Sequence, residues 1–185
     1  MDRVYVAGRD AVPSLLRLGE GESLRMTLIV PEGVSCRVVL EVDLDGPGAS
    51  LDLAGASLSS GSEQVDISVT VRHNVPGCRS EQLFKSVAGG SSKVSFDGLV
   101  YVAQDAVRTV AHQQNHSLLL SESASAESRP QLEIYADDVE CSHGATTGYL
   151  NPEELFYMRS RGIPEAVARA MQVEAFLAPI LSRAK

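Results

Sequence analysis

Cysteine, positive charge and long apolar runs are all scarce in this chain. Its 185 residues include three cysteines, Cys36, Cys78 and Cys141, with no C-x-x-C pair. That sparse, odd set argues against a disulfide framework and against a self-contained structural zinc site. No stretch approaches the ~20 consecutive apolar residues of a membrane span. The N-terminus, MDRVYVAGRD, lacks the apolar core of a signal peptide. Residence in the cytoplasm is therefore expected, in a reducing setting that suits unpaired cysteines. Sixteen Lys and Arg stand against 24 Asp and Glu, a formal net charge of −8 with no basic run. Nucleic acid is a poor fit to that balance. An acidic surface favours solubility and basic or metal-bearing partners.

Several chemical signatures are missing as well. Gly89-Gly90-Ser91-Ser92-Lys93 does not have the spacing of a G-x-x-x-x-G-K-[ST] phosphate loop and reads as a turn. There is no G-x-S-x-G elbow, and no G-x-G-x-x-G follows a strand. The expectation of an ATPase, an α/β-hydrolase or a dinucleotide-binding enzyme falls accordingly.

What is present is an ordinary globular composition, 44% hydrophobic and 22% charged, in a chain long enough to bury one core. Strand-like alternation dominates up to about residue 142. Val38, Leu40, Val42 and Leu44 alternate with Val39, Glu41 and Asp43, and Val65, Ile67, Val69 and Val71 alternate with Asp66, Ser68, Thr70 and Arg72. Val94, Phe96, Val100 and Val102 continue the theme, followed by Leu132, Ile134 and Ala136. A period of two with one apolar face is a half-buried strand. Turn signals separate the runs, among them Asp45-Gly46-Pro47-Gly48 and Asn74 to Gly77. Strands recur roughly every 12 to 16 residues, which fits hairpins, a sandwich or the rungs of a β-solenoid. No strict sequence repeat chooses among them.

The pattern changes at Gly148. Asn151-Pro152-Glu153-Glu154 is a helix start, with Asn151 as cap. That helix should run to about Arg161, where Gly162 can stop it. A second helix opens at Pro164, with Ile163, Val167, Ala170, Met171, Glu174, Leu177 and Leu181 along one side. The expected organisation is a β domain over residues 1–148 and a helical region over residues 149–185.

Of the four histidines, His112 and His116 share a strand face and could hold a metal or simply face solvent. His73 continues the apolar face of its strand and reads as a satisfied histidine at the strand end. The segment PQLEIYADDVECSHGATTGYLNPEELFYMRSR, residues 130–161, contains a conflict. If Leu132, Ile134 and Ala136 point inward, so does Asp138, and a lone buried carboxylate costs on the order of several kcal/mol. Either the strand turns a corner at Asp137-Asp138, or backbone donors hold Asp138. A corner resets the phase and puts Val139, Cys141 and His143 on one face. A thiolate and an imidazole side by side suit zinc or iron, and a partner chain would have to complete such a site.

ADDVECSHGATTG, followed by LFYMRSRGI, resembles the signature of the SufB/SufD family of iron–sulfur cluster assembly scaffolds, and is closer to SufD. The preceding block, from HNVPGCRSEQLF to HSLLLSESA, is similar in order and wording to the family's β-helical core. The resemblance covers about residues 63–181; the N-terminal stretch ahead of it fits less distinctly. It implies a mainly β fold, a right-handed parallel β-helix with a C-terminal two-helix appendage. It implies a non-catalytic scaffold that binds a SufC-type ATPase through those helices. It also implies pairing with a SufB-type chain, or with another copy of itself, through the β-helix, as a hetero- or homo-oligomer. ATP-driven pairing of the ATPases then exposes an assembly site between the two scaffolds. An iron–sulfur cluster would be held transiently at that interface, none bound stably by the chain alone.

On this resemblance His143 matches the SufD histidine implicated at the interface, and Cys141 is a looser second ligand. Leu155, Phe156, Tyr157 and Arg161 fall in the ATPase-docking region, where aromatics and Arg are natural anchors. Asp138, Gly144 and Gly162 are expected to be structural. Two departures stand out. SufB-type chains carry an assembly cysteine just before the leucines of the strand reading Gln114-Asn115-His116-Ser117-Leu118, and here that position is Asn115 or His116. Typical members are also longer, so the chain reads as a short form, with the segment from Met1 to Glu20 expected to cap the open N-terminal end. A regulatory paralogue that binds the ATPase but carries no cluster is the alternative. A metal-dependent enzyme using His112, His116 and His143 ranks below both, since no general base accompanies them.

Overall fold

Alternating apolar residues bury one face of each strand, and here successive strands bury that face against each other from two sheets. The structure, a computed structural model, describes residues 1–184. Its strands are β1 (Asp2–Val6), β2 (Leu15–Leu18), β3 (Ser23–Val30), β4 (Cys36–Leu44), β5 (Ser50–Ser59) and β6 (Gln64–His73). They continue as β7 (Arg79–Ala88), β8 (Lys93–Val102), β9 (Thr109–Leu119), β10 (Ser125–Ile134) and β11 (Val139–Tyr149). Two helices follow, α1 (Pro152–Ser160) and α2 (Glu165–Leu181). Odd-numbered strands form one sheet, in the order β1-β3-β5-β7-β9-β11, and even-numbered strands the other, β10-β8-β6-β4-β2. Every pairing is parallel. The chain is therefore a β-solenoid of about 5 turns with two C-terminal helices, the architecture expected from the resemblance.

The repeat that the sequence hides is carried by register. Side chains one coil apart are 29 residues apart at Asp66–Ser95 and 31 apart at Gln82–Gln113. The corner Asp45-Gly46-Pro47-Gly48 recurs one coil later as Asn74-Val75-Pro76-Gly77. Asn74 Nδ2 donates to Asp45 Oδ1 at 2.7 Å, and Gly48 and Gly77 adopt φ of +74° and +72°. Glycine takes that left-handed conformation without the steric cost of a Cβ. At the next coil the position of positive φ falls on Arg108, at +58°.

The core begins as aliphatic layers: Leu24, Met26 and Leu28 on β3, Leu51 and Leu53 on β5, and Val38 to Leu44 on β4. Towards the C-terminal end the inward positions turn polar. Ser80, Gln82, Gln113, Asn115 and Ser117 are buried there. The late strand differs from the sequence expectation. Ile134 is exposed at the end of β10, and buried Ala136 lies beyond it, because β10 is an end strand with nothing stacked above. The segment from Met1 to Glu20 supplies β1 and β2, the first rung, with Leu18 buried and Leu15 exposed.

The second helix differs too. Its buried side is Ala168, Leu177 and Ile180, flanked by Val173, Phe176 and Leu181, while Val167 and Met171 are exposed. The reason is that α2 meets the outer face of the odd sheet, at Ala54, Ala56, Val87 and Leu118, with its C-terminal half. Two cations tie it down. Lys85 Nζ donates to the Phe176 carbonyl at 2.9 Å, and Arg183 just beyond α2 reaches Asp52 Oδ1 at 2.8 Å. No helix is long and apolar enough to cross a membrane among the described residues.

Candidate functional site

Among the described residues no strand or helix caps the C-terminal end of the solenoid. β11 and β10 are the last strands of their sheets, and each leaves one backbone edge without a strand neighbour. β10 ends at Ile134 and β11 starts at Val139, so the chain does turn a corner at Asp137-Asp138. Asp138 is exposed, which removes the conflict, and its carbonyl accepts the Arg108 N–H. The reset phase is set by register: Val139 stacks over Thr109, Cys141 over Ala111, and His143 over Gln113. Thr109, Ala111 and Gln113 are buried inside the solenoid, so Cys141 and His143 occupy adjacent inward positions of the end rung.

The two differ in environment. Cys141 is half-buried and packs against the cluster of Val100, Val102, Ala106, Ala111 and Ala136; burial pushes its thiol pKa up, opposed by the Ala111 backbone and reinforced by Glu140. His143 is exposed at the rim and makes no side-chain hydrogen bond among the described residues. Gly144 lies on the outer face, where an added Cβ would meet nothing within 4 Å. Among the described residues, no group of three or more His, Cys, Asp or Glu side chains is gathered to hold a metal ion. Cys141 and His143 offer two donors, and further ligands would have to come from outside the chain.

The other histidines are placed elsewhere. His112 and His116 share the outer face of β9, but four residues of strand separate them by roughly 13 Å, too far for one metal. Each is already tied to β11: His112 Nδ1 lies 2.7 Å from Ser142 Oγ, and His116 Nδ1 lies 2.7 Å from Thr146 Oγ1. Burial, then Lys85, lowers the His116 pKa. Asn115 points inward instead and donates to Ser128 Oγ at 2.9 Å. His73 is fully buried, with Nε2 2.9 Å from Ser80 Oγ and Nδ1 without a partner.

On the helices, Asn151 caps α1 by accepting from the Glu153 and Glu154 N–H groups. Gly162, at φ +86°, stops it. The Gly162 N–H reaches the Arg159 carbonyl and the Ile163 N–H the Met158 carbonyl. That pair of bonds satisfies the last carbonyls of the helix. Phe156 is 73% and Tyr157 59% exposed, and the Arg161 guanidinium sits over the Tyr157 ring at 5.3 Å. Leu155 is half-buried. An apolar recess of about 460 Å³ lies between the helices and the end of the solenoid, lined by Leu118, Tyr149, Met158, Met171 and Phe176.

The amides Gln82, Gln113 and Asn115 are buried although the sequence pattern does not point to them. Their strands, RSEQLFKSVA and TVAHQQNHSLL, put polar residues at the inward phase, so apolar alternation does not reveal them.

Fold and end rung together define a β-solenoid whose C-terminal end is open and carries a thiol and an imidazole, flanked by a helical hairpin. The family model for the SUF system FeS cluster assembly, SufBD core domain, matches residues 14–176. The iron–sulfur cluster assembly protein SufD of Escherichia coli is 38% identical over 148 residues, 80% of this chain and 35% of that protein. A SufBD family protein of Mycobacterium leprae is 31% identical over 190 residues, 98% of this chain and 47% of that protein. A SufBD family protein of Synechocystis sp. is 38% identical over 127 residues, 69% of this chain and 28% of that protein. The chain belongs to the SufB/SufD family of iron–sulfur cluster assembly proteins. It spans less than half the length of these relatives. The match starts at residue 14, so β2 to β5, indistinct in sequence, lie within the family domain.

Proposed function

We propose that this chain is a non-enzymatic scaffold subunit of a Suf-type assembly complex in the cytoplasm, bound to a SufC-type ATPase and paired with a second scaffold chain. The observation that carries this reading is the end rung, where an unpaired strand edge coincides with the inward Cys141 and His143. An exposed parallel edge invites another strand, which adds by main-chain hydrogen bonds. A SufB-type chain, or a second copy, stacked there brings its own donors to Cys141 and His143. The iron–sulfur cluster is then cargo held between two chains. His143 offers an imidazole lone pair to iron. Cys141, with its raised pKa, offers a thiolate only once iron displaces the proton.

The exposed Phe156, Tyr157 and Arg161 present an aromatic and cationic face suited to the ATPase, with half-buried Leu155 beside them on α1. A regulatory paralogue without a cluster is the second reading. It is favoured by Asn115 and His116, which are not thiols and are already engaged by Ser128 and Thr146. The two readings separate on His143→Ala. In a complex reconstituted with ATPase and SufB-type chain, the scaffold reading expects cluster formation to fall while the ATPase stays bound. Unchanged cluster yield sinks that reading and leaves the regulatory one.

A further inference from the structure

We infer that Gln113 is a positioning residue for His143, holding one ring N–H so that the other ring nitrogen presents its lone pair at the open end of the solenoid. This rests on the reading of His143 as an iron ligand. Gln82, Gln113 and His143 are in-register neighbours on β7, β9 and β11, all at inward positions. Gln113 Nε2 donates to Gln82 Oε1 at 3.1 Å, which ties the β9 amide to the rung before it. Gln113 Oε1 is left without a partner, on a side chain only 1% exposed.

A buried acceptor with no donor is costly, and such groups are almost always satisfied. The next rung in the same column is His143, whose ring makes no bond of its own. In-register neighbours of a sheet lie about 4.8 Å apart, within reach of an imidazole N–H. The Gln113 amide reaches across the core to β8 and is held there: its Oε1 lies 2.5 Å, and its Cδ 2.7 Å, from where a Cβ on Gly98 would be, so that glycine leaves just the room the amide fills. His112 and His116 face outward instead, their Nδ1 atoms 2.7 Å from the Ser142 and Thr146 hydroxyls, with Glu140 Oε1 3.5 Å from His112 Nε2.

A neutral imidazole has one N–H and one lone pair, and the hydrogen bond made by the first decides which nitrogen carries the second. Bonding the N–H to an amide carbonyl also makes the ring a better donor to a metal. Loss of such a partner typically costs 10–100-fold in metal affinity or activity.

The experiment is a long-range ¹H–¹⁵N spectrum of the histidine rings in the full chain, at about pH 8, where unperturbed imidazoles are neutral. His143 should show one dominant tautomer with a slowly exchanging ring N–H. Gln113→Leu should return it to a mixture of tautomers, and Gln113→Glu, which keeps an acceptor at the same reach, should restore the bonded N–H. The His112 and His116 signals should stay in place throughout. A mixture of tautomers in the unaltered chain overturns the inference, whether or not Gln113→Leu folds, as does a single tautomer that Gln113→Leu leaves unchanged. A locked ring combined with normal cluster yield in His143→Ala removes the ligand reading and leaves the positioning role. A mixed ring combined with lost yield does the reverse.

Discussion

His73 sits inside the solenoid with nothing to stabilise a second proton on its ring. Burial lowers its pKa from 6.5 to about 4. The folded value lies below the unfolded one, so the folded state binds fewer protons. Its contribution is intact above about pH 6.5 and is lost as pH falls towards 4, up to on the order of 3 kcal/mol. Denaturant unfolding of the unaltered chain and of His73→Leu should diverge over that window, with the unaltered chain losing more stability on acidification. Parallel pH profiles would contradict the assignment. Arg108 makes the opposite case, a residue the fold tolerates rather than needs. Its φ of +58° occupies the position that glycine holds one and two coils earlier. The left-handed region costs an ordinary residue roughly 1–2 kcal/mol, partly offset by the greater chain entropy of glycine. Arg108→Gly should therefore leave stability unchanged or raise it by up to about 1 kcal/mol, read from the unfolding midpoint. At this scale the sequence shows that Cys141 and His143 share a face, since the Asp138 conflict points to a corner. It does not show that Gln113 lies beneath His143, because only the register of β11 on β9 puts them together.

Strands with one apolar phase, such as β4, β6 and β8, are legible from the chain alone. β7 and β9 are not, since their inward side is half polar. Close approach between rungs also escapes a linear reading. A Cβ on Gly55 would lie 2.5 Å from the Phe84 ring, itself 4.7 Å from Phe96. Gly55→Val should destabilise by about 1–3 kcal/mol through overpacking, measured by thermal or denaturant melting. For α2, the phase of the helix could be read from apolar spacing only to within a turn. The docking contacts come from β5 and β7, far away in the chain, such as Lys85 to Phe176 across 91 positions. Arg183 is the larger tether, with Asp52 Oδ1, the Asp52 carbonyl and the Met26 carbonyl as acceptors. Charge-assisted bonds of this kind contribute about 1.5–3 kcal/mol each. Arg183→Ala should speed hydrogen exchange in the C-terminal half of α2 by roughly tenfold or more while leaving β5 protected. Unchanged exchange would mean apolar packing alone holds the helix.

The molecule as a whole divides its surfaces. One end of the solenoid offers strand edges with Cys141 and His143, and its flank carries a helical hairpin whose Phe156 and Tyr157 face outward. That layout suits a part that receives two different partners at once, as the proposed scaffold role requires. The most direct measurement is co-purification. The chain is tagged and co-expressed with a SufC-type ATPase and a SufB-type chain, and whatever elutes with it is identified. The account predicts that both partners co-elute, that replacing Phe156 and Arg161 together by Ala releases the ATPase, and that a proline at Ala145 in β11 releases the scaffold chain. A folded, monodisperse protein that elutes with neither partner would contradict it.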